Sequence, residues 1–203
     1  EPKIFRELAK LFSKTAFEVC EGQQWDVDFE NRDDVTIPEY LKMIEYKTAV
    51  LVAAAMKMGA IIAETDEENC NAIYDFGLNL GIAFQLQDDY LDAFGDPITF
   101  GKQVGGDIIE NKKTYLYLKA LEFSSNEKAT ELEQLFTLQL ENNTEKIETA
   151  KAIFNESGAS KSTQEAIEMY TFKAFETLDK MDINAEKKDI LRTFGENLMG
   201  RKV

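Results

Sequence analysis

The sequence contains no histidine, which excludes histidine as a catalytic base or metal ligand in these 203 residues. Its two cysteines, Cys20 and Cys70, have no metal-ligand spacing, and free buried thiols of a cytosolic protein are the expected state. No apolar run is long enough to span a membrane, and no secretory signal is present. We therefore expect a cytoplasmic protein without a membrane span.

Basic residues are also scarce, with 23 Lys and Arg against 38 Asp and Glu and a formal net charge of −15. Because nucleic acid is bound by basic surfaces, this balance argues against nucleic acid as a partner. An anionic substrate would be repelled by the overall field, so it would have to meet local lysines or a bridging metal ion.

Only three prolines and 11 glycines interrupt the chain, and Ala, Leu, Glu and Lys are frequent. This composition predicts a single all-α domain over residues 1–203, with short connections between antiparallel helices. The chain does not begin with Met, so we expect it to be the C-terminal portion of a longer protein. The periodicity predicts helices at about 2–21, 38–63, 66–93, 108–123, 126–140, 145–157, 160–180 and 185–200. Thr36 with Glu39 and Pro38 predicts a capped start of the second helix, and Thr65 is the expected cap of the third.

Three carboxylates lie within five residues of one apolar helical stretch, at Asp88, Asp89 and Asp92. Asp88 and Asp92 are four residues apart and share a helix face, with Gln85 one turn earlier on the same stripe. Like charges at this spacing repel each other, more strongly where burial lowers the dielectric. The pattern indicates a bound cation, and the alternative is a solvated acidic helix end.

A glycine-rich segment over residues 94–107 follows this helix and carries Lys102 and Asp107. Glycines allow the backbone to approach a ligand closely, and Lys102 would offer a point charge to a phosphate. Lys112 and Lys113 lie one to two turns further on. Lysines around clustered aspartates suit a metal–diphosphate complex, because Mg²⁺ binds a few carboxylates together with phosphate oxygens and water. The alternative is a plain connection between helices.

Two further polar pairs interrupt helical patterns. Lys47 and Thr48 lie inside an apolar helix, where a snorkelling lysine and a threonine bonded to its own backbone are the ordinary interpretations. Gln23 and Asp26 would by themselves be interpreted as local capping.

Two competing metal-binding classes do not fit. A di-iron carboxylate bundle requires Glu-x-x-His pairs, which a chain without histidine cannot supply. The aspartate cluster also lacks the Asp-x-Asp-x-Asp-Gly spacing of an EF-hand.

Taken together, four elements in this order resemble the trans-isoprenyl diphosphate synthase (polyprenyl synthetase) family, which includes farnesyl and geranylgeranyl diphosphate synthases. The matching segments are Gly22-Gln23-x-x-Asp26 for GQxxD, Tyr46-Lys47-Thr48-Ala49 for YKTA, Phe84–Asp92 for FQxxDDxxD, and Gly101–Asp107 with Lys112 for GKxxGxDxxxxK. A lone DDxxD would be weak evidence, but four ordered elements covering most of the chain are specific.

The resemblance implies an all-α orthogonal helical bundle of the isoprenoid synthase type around a central cavity, normally a homodimer. It implies a prenyltransferase that condenses an allylic diphosphate with isopentenyl diphosphate, with Mg²⁺ as cofactor. By analogy, the functional residues fall into three overlapping groups: metal ligands Asp88, Asp89, Asp92 and Asp107; diphosphate-binding lysines Lys47, Lys102 and Lys112; and catalytic residues Lys47, Thr48, Gln85 and Lys102. Phe84 could offer its ring face to a carbocation, or it could be part of the core.

One departure from the family pattern bears on activity. The family's first aspartate-rich motif, DDxxD, is absent, since Arg32-Asp33-Asp34 has neither its spacing nor its helical context. The simplest explanation is that the chain begins after that motif, in which case the fragment alone would be inactive. The alternatives are loss of the motif, as in a non-catalytic or regulatory partner subunit, and a terpene cyclase, for which the expected NSE-like motif is not found.

Overall fold

The computed structural model describes residues 1–96, 104–140 and 142–200, and within these ranges every regular element is a helix. The all-α prediction is therefore confirmed. The helices are α1 (Pro2–Glu30), α2 (Ile37–Ile44), a π turn (Glu45–Ala49), α3 (Val50–Ile62), α4 (Glu67–Phe94), α5 (Gly106–Ile109), α6 (Tyr115–Phe123), α7 (Asn126–Leu135), α8 (Thr144–Glu156), α9 (Ala159–Lys180) and α10 (Ala185–Met199).

The start of α2 confirms the capping box predicted from Thr36 and Glu39. The Thr36 backbone amide donates to Glu39 Oε2 at 2.9 Å, and the Glu39 amide donates to Thr36 Oγ1 at 3.4 Å. The predicted cap of α4 was wrong by one residue. Asp66, rather than Thr65, accepts a hydrogen bond from the Asn69 amide at 2.8 Å, because its carboxylate reaches the first turn.

The first helix does not end near Gly22, as the sequence suggested. It continues to Glu30, and Gly22 lies inside it for a packing reason. A Cβ atom at this position would be 2.3 Å from the Lys47 backbone nitrogen and 2.7 Å from the Tyr46 carbonyl carbon. Glycine is therefore required for the close approach of two backbones, and its helix-breaking tendency is overridden by tertiary contact.

The predicted helix over 108–123 is divided into two. The short helix α5 ends at Ile109, and Asn111 adopts a left-handed backbone conformation with φ of 60°. A left-handed residue cannot continue a right-handed helix, and asparagine tolerates this conformation better than most residues. The helix α6 begins again at Tyr115.

The chain forms two compact units. Unit 1 comprises residues 1–26, 41–85 and 168–200, and unit 2 comprises the described residues within 27–40 and 86–167. One buried hydrophobic cluster of unit 1 contains Ile73, Phe76, Leu80, Ala174, Leu178 and Met181. In unit 2, α6, α7 and α8 pack on one another around Tyr117, Phe136 and Phe154. No helix in the described ranges is long and apolar enough to cross a membrane.

Two glycines that lie inside helices should respond to substitution in opposite directions. Gly22→Ala should lower the free energy of unfolding by about 1–3 kcal/mol or more, because its Cβ would overlap the Lys47 backbone. At Gly59, a Cβ would meet nothing within 4 Å. Gly59→Ala should therefore stabilise the protein by about 0.5–1 kcal/mol through helix propensity. Urea denaturation of both variants measures the difference, and equal effects would contradict the close approach at Gly22.

Candidate functional site

A π turn interrupts the helical run between α2 and α3 at Glu45–Ala49. The Val50 amide donates to the Glu45 carbonyl, five residues earlier, which is the hydrogen bond of a π-helix. Such turns contain an extra residue and are frequent at functional sites. Here the extra residue falls on the segment that carries Lys47 and Thr48, the candidate site residues of the YKTA element.

Lys47 is held by a carboxylate from α1. Its Nζ lies 2.6 Å from Asp26 Oδ2, and the two side chains are 23% and 19% exposed. Lys47 is therefore not a snorkelling surface lysine, and Asp26 lies within α1 rather than capping it. The ion pair lies within unit 1 and joins the GQxxD and YKTA elements.

Thr48 makes the second contact of this turn. Its Oγ1 donates a hydrogen bond to Gln85 Oε1 at 2.8 Å, between residues 37 positions apart. The hydroxyl thus does not bond to its own helix backbone, as an isolated helical threonine usually does. We call Asp26, Lys47, Thr48 and Gln85 the KTA site, and all four belong to unit 1.

The π turn is packed closely between two helices. Gly22 of α1 meets the Lys47 backbone, and on α4 a Cβ at Gly81 would be 2.6 Å from the Ala49 Cα. Next to Gly22 on α1, the Trp25 ring stacks on Tyr46 with a centroid distance of 5.2 Å. Backbone contacts on both sides therefore fix where Lys47 and Thr48 point.

An open apolar groove of about 440 Å³ lies between α1 and α3 in unit 1. Its lining from α3 follows directly after the π turn. The lining residues are Phe12, Thr15, Ala16, Val19, Cys20, Leu51, Ala54, Ala55 and Met58. The groove therefore offers space for an apolar ligand, which the sequence did not reveal because its residues are far apart in the chain.

In unit 2, a buried tyrosine holds the second aspartate of the DDxxD element. The Tyr40 hydroxyl donates to Asp89 Oδ2 at 2.5 Å, and the two residues are 1% and 9% exposed. The Tyr40 ring also packs on Tyr115, with centroids 6.1 Å apart. Sequence reasoning missed Tyr40, since a single tyrosine in an apolar helix carries no signal of a partner 49 residues away.

Asp92 anchors the start of α5. Its backbone carbonyl accepts a hydrogen bond from the Gly105 amide at 2.6 Å, and its Oδ2 accepts one from the Asp107 amide at 2.9 Å. Gly105 has a positive φ of 85°, a conformation that glycine adopts without strain. The glycine turn therefore places the Asp107 backbone amide against the Asp92 carboxylate. We call Asp88, Asp89, Asp92, Asp107 and Lys112 the aspartate site.

The two carboxylates influence each other electrostatically. Burial and the negative charge of Asp107 together raise the pKa of Asp92 to about 6, against the opposing effect of the Asp107 and Gly106 amides and of Lys112. A raised pKa means that the ionised form of Asp92 is unfavourable in this environment. A cation at this position would therefore stabilise the site.

Lys112 supplies part of that positive charge. Its Nζ lies 3.3 Å from Asp107 Oδ1 and 3.1 Å from Glu110 Oε2. Lys113 points elsewhere, with its ammonium 5.1 Å from the Tyr117 ring centroid, and burial lowers its pKa. Of the two lysines, only Lys112 contacts a carboxylate of the aspartate site.

The structure brings the predicted site residues together only in part. Among the described residues, no group of three carboxylates, histidines or cysteines is arranged to hold a metal ion. Asp88 is partly exposed on α4, between Gln85 and Asp92. Lys102 lies outside the described residues, so its predicted role stays a prediction.

Removing the Tyr40 hydroxyl should destabilise unit 2. Tyr40→Phe keeps the buried ring but loses the hydrogen bond to Asp89, so the free energy of unfolding should fall by about 1.5–3 kcal/mol, the range for a bond to a charged group. Tyr115→Phe is the control, since its hydroxyl has no hydrogen-bond partner in the described part of the chain. Equal losses in the two variants, measured by chemical denaturation, would show that the Tyr40 bond contributes nothing.

Known proteins resemble both the sequence and the fold. Geranylfarnesyl diphosphate synthase of Natronomonas pharaonis is 53% identical over 106 residues, which is 52% of this chain and 31% of that protein. A crystal structure of a geranylgeranyl pyrophosphate synthase is 58% identical and superposes with a TM-score of 0.93, over 100% of this chain and 63% of that one.

A further crystal structure is geranylgeranyl pyrophosphate synthase from Corynebacterium glutamicum complexed with isoprenyl diphosphate and magnesium. It is 28% identical, with a TM-score of 0.90 over 100% of this chain and 57% of that one. The chain thus spans less than two thirds of the length of these proteins. The family model for polyprenyl synthetase matches residues 3–156. With these four elements, this fold and this match, the chain belongs to the polyprenyl synthetase family.

Proposed function

We propose that the protein is a prenyltransferase that condenses an allylic diphosphate with isopentenyl diphosphate. The observation that carries the proposal is the hydrogen bond between Thr48 and Gln85, because it joins the YKTA element to the helix of the aspartate-rich element. Two polar side chains that are distant in sequence are thus hydrogen-bonded to each other. A purely structural core would not require polar side chains at these positions.

The chemistry requires that diphosphate leave as an anion. Its developing charge must be met by cations, which is electrostatic stabilisation of the leaving group. Mg²⁺, when bound, would supply Lewis-acid stabilisation of the diphosphate oxygens. Oxygen donors from one or two carboxylates are enough for Mg²⁺, because phosphate oxygens and water complete its coordination.

Asp88 and Asp92 are the residues we propose as direct oxygen donors to Mg²⁺. They lie four residues apart on α4, and burial together with the charge of Asp107 raises the pKa of Asp92, which supports a cation at this carboxylate. Asp107 would contribute directly or through water. Asp89, held by Tyr40, would act by fixing the helix end and through water.

Lys47 and Lys112, together with Lys102, would bind the allylic diphosphate. Each of the two described lysines contacts a carboxylate, at Asp26 and Asp107 respectively. Diphosphate oxygens would replace those carboxylates as partners, and a divalent cation beside Asp107 would release Lys112 for this purpose. A compact ammonium is suited to phosphate as a point charge.

Thr48 and Gln85 would place oxygen atoms near the developing carbocation. Their hydrogen bond fixes the Gln85 Oε1 orientation, so the amide dipole is preorganised rather than reoriented during reaction. Isopentenyl diphosphate attacks the cation through its double bond, forming the new carbon–carbon bond. The proton lost afterwards would pass to the departing diphosphate.

The apolar groove in unit 1 is suited to the hydrocarbon part of such a substrate. Its lining is apolar apart from the hydroxyl of Thr15 and the thiol of Cys20. Burying a prenyl chain against such a surface contributes about 25 cal/mol per Å² of apolar area removed from water. We propose that this groove accommodates the growing chain.

We extend the proposal to a cytoplasmic homodimer. Phe5 and Phe12 are seven residues apart on α1 and are 74% and 65% exposed. Large exposed aromatic side chains on one helix face are typical of a protein interface. Both cysteines are free, as expected for a reducing compartment, but only Cys70 is buried, and the expectation that Cys20 is buried was wrong.

Product analysis tests the proposed function. The full-length protein, incubated with isopentenyl diphosphate, an allylic starter and Mg²⁺, should form a longer prenyl diphosphate. Products are sized by chromatography after dephosphorylation. If no condensation occurs, but the protein changes the turnover of an active synthase mixed with it, the chain is a regulatory subunit and the proposal is wrong.

Asp88→Ala should lower turnover by about 100-fold or more, comparable to removing one preorganised group that stabilises transition-state charge. Circular dichroism should remain unchanged, because Asp88 is partly exposed. Asp75→Ala is the matched control, since Asp75 is an exposed residue of the same helix outside the motif. Near-normal turnover of Asp88→Ala would contradict its assignment as a metal ligand.

Lys47→Ala should weaken binding of the allylic substrate by roughly tenfold, the loss of one hydrogen bond to a charged group. Lys57→Ala is the control, because Lys57 lies on α3 and pairs with the neutral Asn71 at 2.7 Å. Affinity is measured by titration with a non-ionisable allylic analogue. Unchanged affinity in Lys47→Ala would exclude Lys47 from the diphosphate site.

A further inference from the structure

Lys146 on α8 is a buried cation that neither the motifs nor the proposed reaction uses. It is 1% exposed, and its ammonium lies within 5.9 Å of the Phe136 ring centroid. Burying an ammonium group is costly unless its hydrogens find acceptors. The contacts of Lys146 therefore indicate why a lysine occupies this position.

All three of its contacts are to neutral oxygens. Lys146 Nζ lies 2.6 Å from Asn111 Oδ1, 2.8 Å from the Leu138 carbonyl and 3.3 Å from the Ile109 carbonyl. A protonated lysine has three N–H donors, whereas the neutral amine has only two. The three acceptors thus match the ammonium form, although burial and the neighbouring charge of Lys113 lower the pKa of Lys146.

Two of these acceptors belong to the segment between the glycine turn and α6. We call residues 105–113 the diphosphate segment, because it carries Asp107 and Lys112. Lys146 holds it at the end of α5 and at Asn111, where the backbone turns left-handed. The next residue on α8 supports its other end, since a Cβ at Gly105 would be 2.8 Å from Ile147 Cδ1.

We propose that Lys146 is a positioning residue that holds the diphosphate segment, so that Asp107 and Lys112 are placed to bind the metal–diphosphate complex. This inference rests on the proposed function for the identity of the ligand. Lys146 does not touch the substrate, and its effect is transmitted through Ile109 and Asn111. The same contacts join the segment to the connection before α8, through Leu138.

Lys146→Met tests the proposal, because methionine fills a similar volume without the three donors. Amide hydrogen exchange in peptides covering 105–113 should become at least about tenfold faster, equivalent to about 1.4 kcal/mol of local opening. Exchange in α10, which belongs to unit 1, should not change. Binding of inorganic diphosphate with Mg²⁺, measured by calorimetry, should weaken by a similar factor.

Two controls separate positioning from charge and from stability. Lys161→Met removes the same charge from a side chain that is 81% exposed. Leu132→Ala destabilises the core of unit 2 at a fully buried residue that makes none of these contacts. Neither control should weaken diphosphate binding as Lys146→Met does. If Leu132→Ala matches it, Lys146 contributes only general stability and the proposal is overturned.

A second variant, Asn111→Gly, tests the same proposal if Lys146→Met does not fold. Glycine retains the left-handed conformation but removes one of the three acceptors. Exchange of the diphosphate segment should again accelerate, by a smaller factor. Unchanged exchange in these variants would overturn the proposal. If the unsubstituted protein binds no diphosphate, the proposed function fails, whereas the exchange rates still decide whether Lys146 holds the segment.

Discussion

The close packing of the π turn between two helices is the constraint on which unit 1 depends. Gly22 of α1 and Gly81 of α4 each allow their helix backbone to approach the π turn more closely than any side chain would permit. The extra residue of the turn then directs Lys47 to Asp26 and Thr48 to Gln85. A π turn is less favourable than a regular helix, so it persists because its surroundings determine it.

In unit 2, negative charge is concentrated near the C-terminal end of α4. Tyr40 donates to Asp89, the Asp107 amide donates to Asp92, and Lys112 pairs with Asp107. Each contact stabilises one of these carboxylates, yet burial and the charge of Asp107 still raise the pKa of Asp92 to about 6. A divalent cation bound as proposed would remove this cost of ionisation.

Helix content and the candidate residues could be predicted from sequence, because period and motif spacing are local properties. The tertiary contacts of the candidate residues could not be predicted from sequence. Gly22 was predicted to end a helix, because its contact with the Lys47 backbone is tertiary. The left-handed Asn111 accepts a hydrogen bond from Lys146, which is 35 residues away. Tyr40 was not predicted as a site residue for the same reason, since its partner Asp89 is 49 residues away. Sequence patterns indicate the candidate functional residues, whereas tertiary packing determines their contacts.

The ion pairs of Lys47 and Lys112 have a consequence for selectivity. Each lysine is already occupied by a carboxylate of the protein itself, Asp26 and Asp107 respectively. These carboxylates act as internal competitors, so an incoming anion must exchange with them rather than occupy an empty site. A singly charged anion gains little from such an exchange, whereas a diphosphate bound with its metal ion offers several oxygens at once. If Lys47 and Lys112 bind diphosphate as proposed, their ion pairs would make a chain of net charge −15 discriminate between anions by valence.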